Sequence, residues 1–154
     1  MSPTARLTRE PIDPAALVRE VAGPANGAIL LFLGVVRDVN DGRAVTGIDY
    51  SAYESMAERE MRDIVGEAAE RFGTGDLVIE HRLGELALEE ASVGIAVAHP
   101  RRGGAYEVSR WLIEELKRRV PIWKREQYVD GTREWVDASA RRDDHAAAVP
   151  HEPR

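Results

Sequence analysis

Cysteine is absent from the 154 residues. That excludes a disulfide framework, a thiolate zinc site, an iron–sulfur cluster, and any nucleophile or sulfur carrier built on a protein thiol. Lysine is nearly absent too: of 21 basic residues, only Lys117 and Lys124 are lysines and the rest are arginine. Aromatic residues are 6% of the chain, too few for the ladders of exposed rings that hold single-stranded nucleic acid. The longest apolar run, residues 28–36, is strand-sized, well short of the ~18 residues a membrane span needs. The first residues carry no apolar core behind their positive charge, so neither a secretory signal nor a membrane anchor is expected. The protein reads as cytoplasmic. Sequence signatures for a dinucleotide fold, a Walker loop, a His-Glu-x-x-His zinc site and a Gly-x-Ser-x-Gly nucleophile elbow are all missing.

What is present is an ordinary globular balance, 44% hydrophobic and 31% charged, with a net charge of −6. That charge argues against nucleic-acid binding driven by net charge, though not against a local basic site. The length suits one domain, expected over residues 1–138, followed by a frayed tail over 139–154 rich in Ala, Asp, His and Pro. His145 and His151 fall in that tail and read as solvated side chains rather than metal ligands.

The pattern alternates between helix and strand periods. Asp13-Pro14 caps and opens a helix ending near Ala22. Residues 27–37 read as a buried strand, 38–43 as a polar loop and 44–53 as a second strand. Ser55-Met56-Ala57-Glu58 reads as a capping box for an amphipathic helix over 56–72, with Met61, Ile64, Val65 and Ala68 at helical spacing. Strands follow at 77–82 and 93–99, joined by a Glu-rich connection. A helix over 105–120 turns Val108, Trp111, Leu112 and Leu116 inward and stops at Pro121. Residues 122–128 and 132–136 form a hairpin about Asp130-Gly131. This order predicts an α+β fold with a mixed or antiparallel sheet and a C-terminal β-hairpin. His81 alternates within its strand and reads as a satisfied, half-buried histidine; Glu89-Glu90 and Glu114-Glu115 read as solvated carboxylates.

Chemistry concentrates between residues 101 and 125. Arg101, Arg102, Arg110, Lys117, Arg118, Arg119, Lys124 and Arg125 stand there against Glu107, Glu114 and Glu115, a local +5 in an acidic chain. Arginine forks suit phosphate, and Arg101-Arg102-Gly103-Gly104 leads into a helix N-terminus, where free amides favour an anion. From charge alone a solvated basic face is the simpler reading. The lysines tilt the balance. A chain that uses arginine for generic positive charge keeps lysine where a titratable, nucleophilic amine matters. Pro121 breaks the helical face that Lys117 and Lys124 would otherwise share. In the following strand, alternation puts Lys124 and Glu126 on one side and Trp123 and Arg125 on the other.

The stretch Leu116-Lys117-Arg118-Arg119-Val120-Pro121-Ile122-Trp123-Lys124-Arg125-Glu126 resembles the large, catalytic subunit family of molybdopterin synthase. Phe32-Leu33-Gly34-Val35-Val36-Arg37, His81-Arg82-Leu83-Gly84-Glu85-Leu86 and Trp135-Val136 support the match, in order, over about residues 27–138. The resemblance implies an α/β-hammerhead-type fold and a homodimer within a heterotetramer. Each large subunit would hold the Gly-Gly thiocarboxylate tail of a small ubiquitin-like sulfur carrier. It further implies a sulfurtransferase that builds the dithiolene of molybdopterin on cyclic pyranopterin monophosphate, with no cofactor, metal, nucleic acid or membrane. Lys117 and Lys124 match the family's active-site lysines; Arg37, Arg101, Arg102, Arg125 and Glu126 would complete the substrate pocket. The sequence departs from the family pattern at Arg101, where histidine is usual, and His99 lies two residues too early to replace it. A further family arginine falls near Ser139, with Arg141 and Arg142 beyond, and is not assigned. The alternatives are a binding module whose basic face meets RNA or an acidic protein, and a phosphate-ester enzyme using the arginines alone.

Overall fold

A computed structural model of the chain describes residues 3–137. Twelve elements follow in order: β1 Thr4–Thr8, α1 Pro14–Val21, β2 Ala28–Val35, β3 Val39–Asn40, β4 Arg43–Ala52, α2 Glu54–Phe72, β5 Leu77–Arg82, β6 Gly84–Ala87, β7 Ala91–His99, α3 Arg102–Arg119, β8 Ile122–Tyr128 and β9 Arg133–Asp137. The strands form two sheets, one ordered β1-β5-β7-β2 and the other β3-β4-β8-β9 with β6 also paired to β4. Only the β1–β5 pair is parallel; the other pairs run antiparallel. The architecture is the expected α+β, with a mixed sheet and a closing hairpin.

The first sheet is covered on both faces along β5 and β7, which explains why β7 is apolar almost end to end; β2, expected as a buried strand, lies at the sheet edge and leaves Ile29, Phe32 and Val35 exposed. Val78, Ala96 and Ala98 face α1 and pack with Leu17 and Val21. The alternate residues Leu77, Ile79, Ile95 and Val97 face the main core with Met61 and Ile64 of α2 and Val108, Leu112 and Leu116 of α3. Trp111 is only partly buried and meets Phe72 edge to face at 5.8 Å. The Asp13 side chain accepts from the Ala15 and Ala16 amides, as the Asp-Pro signal requires. Gly73 closes α2 in the left-handed region, φ 68°.

Several expectations need correction. Ser55 does not cap α2: the helix starts at Glu54, with Tyr53 at the cap position and no side-chain cap bond. Glu58 instead accepts from the Leu7 amide at 3.4 Å, because β1 lies against this helix. Neither β1 nor β6 was expected, and the 38–43 loop contains the short strand β3. His81 is fully rather than half buried. Glu90 and Glu115 are structural rather than merely solvated. Glu90 accepts from the Ala87 amide at 2.7 Å and pairs with Arg82, and Glu115 pairs with Arg118 and Arg119. The tail from Ala138, with His145, His151, Ser139, Arg141 and Arg142, lies outside the described residues.

Candidate active site

Strand alternation sets out the site. β8 pairs with β4 so that Lys124 stands opposite Tyr50 and Glu126 opposite Ile48. Lys124 Nζ reaches Glu126 Oε1 at 3.1 Å, on the side that alternation assigned to both. Lys117 comes from the last turn of α3. The break at Pro121 does not separate the two lysines, which reach the same cavity from the helix end and from the strand after it. Lys117, Lys124 and Glu126, with Arg37 from just beyond β2, line one cavity of about 170 Å³ at the junction of the two sheets.

The electrostatics of this cavity are unusual. Burial, and then the neighbouring charge of Lys124, push the Lys117 ammonium down from its ordinary 10.5 to about 8. It can therefore exist both as a cation and as a free amine near neutral pH. Beneath it His81 is driven down to about 3, first by burial and then by the Lys117 charge, so its imidazole stays neutral. Its Nδ1 donates to the Arg82 carbonyl at 2.9 Å, and its ring meets Tyr50 edge-on at 5.2 Å. Burial, and with it the Glu126 charge, push the Tyr50 phenol up; Ser92 is its hydrogen-bond partner. The Glu126 carboxylate also accepts from the Tyr128 hydroxyl at 2.8 Å.

Not every expected residue joins this cavity. Arg125 points to the opposite side of β8, where it pairs with Asp49 at 3.0 Å and lies 4.8 Å from the centre of the Trp135 ring. Arg101 and Arg102 line a separate hollow at the N-terminus of α3, with His99 and Gly104. There His99 Nδ1 accepts from the Arg101 amide at 3.0 Å. The ring packs so tightly on Gly104 that a β-carbon there would lie 2.1 Å from it. Much of the local +5 is not free charge. Arg119 pairs with Glu60 and Glu67 of α2 as well as Glu115, Arg118 pairs with Glu115, and Arg110 lies 3.7 Å from Glu114. Arg119 ties α3 to α2 while Arg118 and Arg110 pair within α3, so much of the cationic face that an RNA-binding module would use is neutralised.

Tyr50, His81, Asn40 and Tyr128 belong to the site's surroundings and were not expected there. Tyr50, Asn40 and Tyr128 announce themselves by no motif, whereas His81 opens the stretch 81–86 that supports the resemblance. Each is brought in by cross-strand register, which a single strand's pattern does not reveal. Among the described residues no group of three or more His, Cys, Asp or Glu side chains could hold a metal ion, and no helix is long and apolar enough to cross a membrane.

Comparison with known proteins adds four findings. Residues 7–119 match the model of a family described as MoaE protein. A molybdopterin synthase catalytic subunit from Emericella nidulans is 41% identical over 135 residues, covering 88% of this chain and 69% of that protein. The crystal structure of molybdopterin synthase from Staphylococcus aureus superposes with a TM-score of 0.79 at 34% identity, over 84% of this chain and 94% of that one. A more distant structure, the complex of subunits 1 and 2 of molybdopterin-converting factor from Helicobacter pylori, shares the fold at TM-score 0.67 and 21% identity, over 84% and 87%.

Proposed function

The chain belongs to the MoaE protein family, and from that premise we propose that it is the catalytic subunit of a molybdopterin synthase, acting in molybdenum cofactor biosynthesis as a sulfurtransferase. Its substrate is cyclic pyranopterin monophosphate. Its sulfur donor is the C-terminal glycine thiocarboxylate of a small ubiquitin-like partner. One observation carries the reading: the chain's only two lysines, on opposite sides of the break at Pro121, converge on one cavity with Arg37 and Glu126. A chain without cysteine has no thiol of its own to offer, so the sulfur comes from outside. The Helicobacter pylori neighbour, alike in fold, is itself a complex of two subunits, the kind of assembly the proposal requires.

The geometry suggests a division of labour. The cavity is large enough for an extended tail of small residues beside one reacting atom, not for a whole folded partner. The partner's terminal glycines suit it, because they carry no side chain to exclude. In the proposed step the thiocarboxylate sulfur forms a bond to a pterin side-chain carbon as that carbon's bond to oxygen breaks. Water adds to the acyl carbon as the acyl–sulfur bond breaks, the proton it gives up goes to the departing oxygen, and the partner is left with an ordinary carboxylate. A second thiocarboxylate repeats the exchange for the second sulfur. Lys117 stands beside these atoms. As a cation it neutralises the negative charge that develops on them; as an amine it is a competent transient nucleophile. Lys124, fixed by Glu126, orients the pterin and moves protons. Arg37 offers its fork to the phosphate.

Arg101 and Arg102 line a different hollow of the same chain. We propose that they serve the cavity of a second copy across a homodimer, so that each phosphate site draws on two protomers. The direct test mixes the protein with a thiocarboxylated small subunit and the cyclic pterin and looks for dithiolene. Lys117→Ala should abolish product while small-subunit binding persists. Wild-type turnover by that variant, or no product from the wild-type protein where a known synthase works, overturns the reading.

A further inference from the structure

Behind Lys124 runs a chain of polar contacts that the sulfur-transfer steps leave unused. One oxygen of Glu126, Oε1, faces Lys124 Nζ at 3.1 Å. The other, Oε2, accepts from the Tyr128 hydroxyl at 2.8 Å. The Tyr128 oxygen accepts in turn from Asn40 Nδ2 at 3.2 Å. The direction is fixed by chemistry: a carboxylate only accepts, so the hydroxyl proton is committed to Glu126 and its lone pair is left for the amide. Asn40 and Glu126 are both buried, at 8% and 6% exposure, where an unmet polar group is costly.

The Tyr128 ring is held from outside as well. The Arg43 guanidinium stacks 3.6 Å from its centre, and Arg43 is itself anchored to Asp130 at 3.2 Å and to the Thr132 hydroxyl. The contacts therefore join β3, the start of β4, β8 and the β8–β9 turn around one carboxylate. A lysine on its four-carbon stem, paired only with a carboxylate that can rotate, samples many positions. A carboxylate with its second oxygen pinned has one orientation, and so does the ammonium that follows it.

We infer that Tyr128 and Asn40 are positioning residues for Lys124, acting through Glu126 to hold the ammonium over the cavity. The inference rests on the reading of Lys124 as a pterin-orienting group. The same carboxylate is approached by Lys124 from its own strand and by Tyr50 from β4, while Lys117 and Arg37 line the cavity from α3 and from beyond β2.

The chain's two lysines make the test simple. Lysine labelled with 13C at Cε gives two side-chain signals, assigned with a Lys124→Arg variant. Tyr128→Phe keeps the ring under Arg43 and removes only the hydroxyl. In it the order parameter of the Lys124 methylene should fall by about half while the Lys117 signal stays as it was. The kcat should drop about tenfold, the size expected for one charge-assisted hydrogen bond, with small-subunit affinity unchanged. Asn40→Ala should give a smaller loss, about threefold, in the same direction. In a Glu126→Ala background, which removes the acceptor, Tyr128→Phe should add nothing further, because the two act as one unit. A Lys124 methylene equally rigid in Tyr128→Phe, an unchanged kcat in an active protein, or losses that multiply would overturn the inference. If the wild-type protein made no dithiolene, the sulfur-transfer reading would fail by itself, and the labelled lysine would still decide whether the hydroxyl positions it.

Discussion

Lys117→Met should make the protein more stable while destroying its activity. The wild-type ammonium is held near pH 8 against an ordinary 10.5, with burial as the larger cause and Lys124 as the second. At pH 7 it is charged in both the folded and the unfolded chain, so folding bears the full cost of placing that charge in the cavity. The difference of about 2.5 units corresponds to about 3 kcal/mol. Because the side chain keeps some contact with solvent through the cavity mouth, we expect about 1–3 kcal/mol. Methionine has nearly the same length without the charge, so it recovers this cost with little change in packing. Unfolding in urea at pH 7 should show the gain directly, and the melting temperature should rise by roughly 2–12 °C.

The sign follows from proton counting. Between about pH 8 and 10.5 the unfolded chain still holds a proton that the folded chain has released, so wild-type stability from this group rises with pH across that window. The variant lacks the group, and its advantage should shrink to about a quarter of the pH 7 value by pH 10. His81 supplies an independent signal. Its imidazole loses one of the two influences that depress it, so its titration should move up from about 3, yet remain below 6.5 because burial persists. A Lys117→Met protein that is less stable than wild type at pH 7, or whose advantage is the same at pH 7 and pH 10, would refute the argument.

Two further outcomes test the assembly and the frame. If Arg102 serves the cavity of a second protomer, mixing Lys117→Ala with Arg102→Ala under conditions of subunit exchange should restore about a quarter of wild-type activity, because half the dimers then carry one intact site. No recovery would place both residues in the same site. Arg119→Ala should lower stability by about 1–2 kcal/mol in urea unfolding, since it takes a partner from Glu60, Glu67 and Glu115, although Glu115 keeps Arg118 and Glu67 is half exposed.

The sequence was most informative where local pattern and tertiary role coincide. β5 matches its expected bounds because the apolar run Leu77-Val78-Ile79, with two β-branched residues, follows the turn residues Gly73-Thr74-Gly75. The side shared by Lys124 and Glu126 follows from two-residue alternation alone. β1 escaped because Thr4–Thr8 has little pattern of its own and becomes a strand by pairing in parallel with β5. β6 escaped because its Glu-rich surroundings read as a loop, while β4 supplies the pairing. The false capping box was locally correct and lost to a competitor, the Leu7 amide, that only the fold brings near. The basic segment misled for the same reason: the carboxylates that occupy Arg119 lie partly on α2, 52 and 59 residues away in sequence.

The confinement of lysine to the cavity also bears on chemical error. An activated acyl group at a partner's C-terminus threatens any amine it meets with a stable amide bond. Guanidinium groups stay protonated and resist that reaction, and every basic side chain outside the cavity, histidines apart, is a guanidinium. The risk of misplaced acylation is thereby drawn away from the side chains of the outer surface and onto Lys117 and Lys124. A turnover that stalls after attack by a side-chain amine would leave its covalent scar at one of those two positions, where peptide mapping can read it.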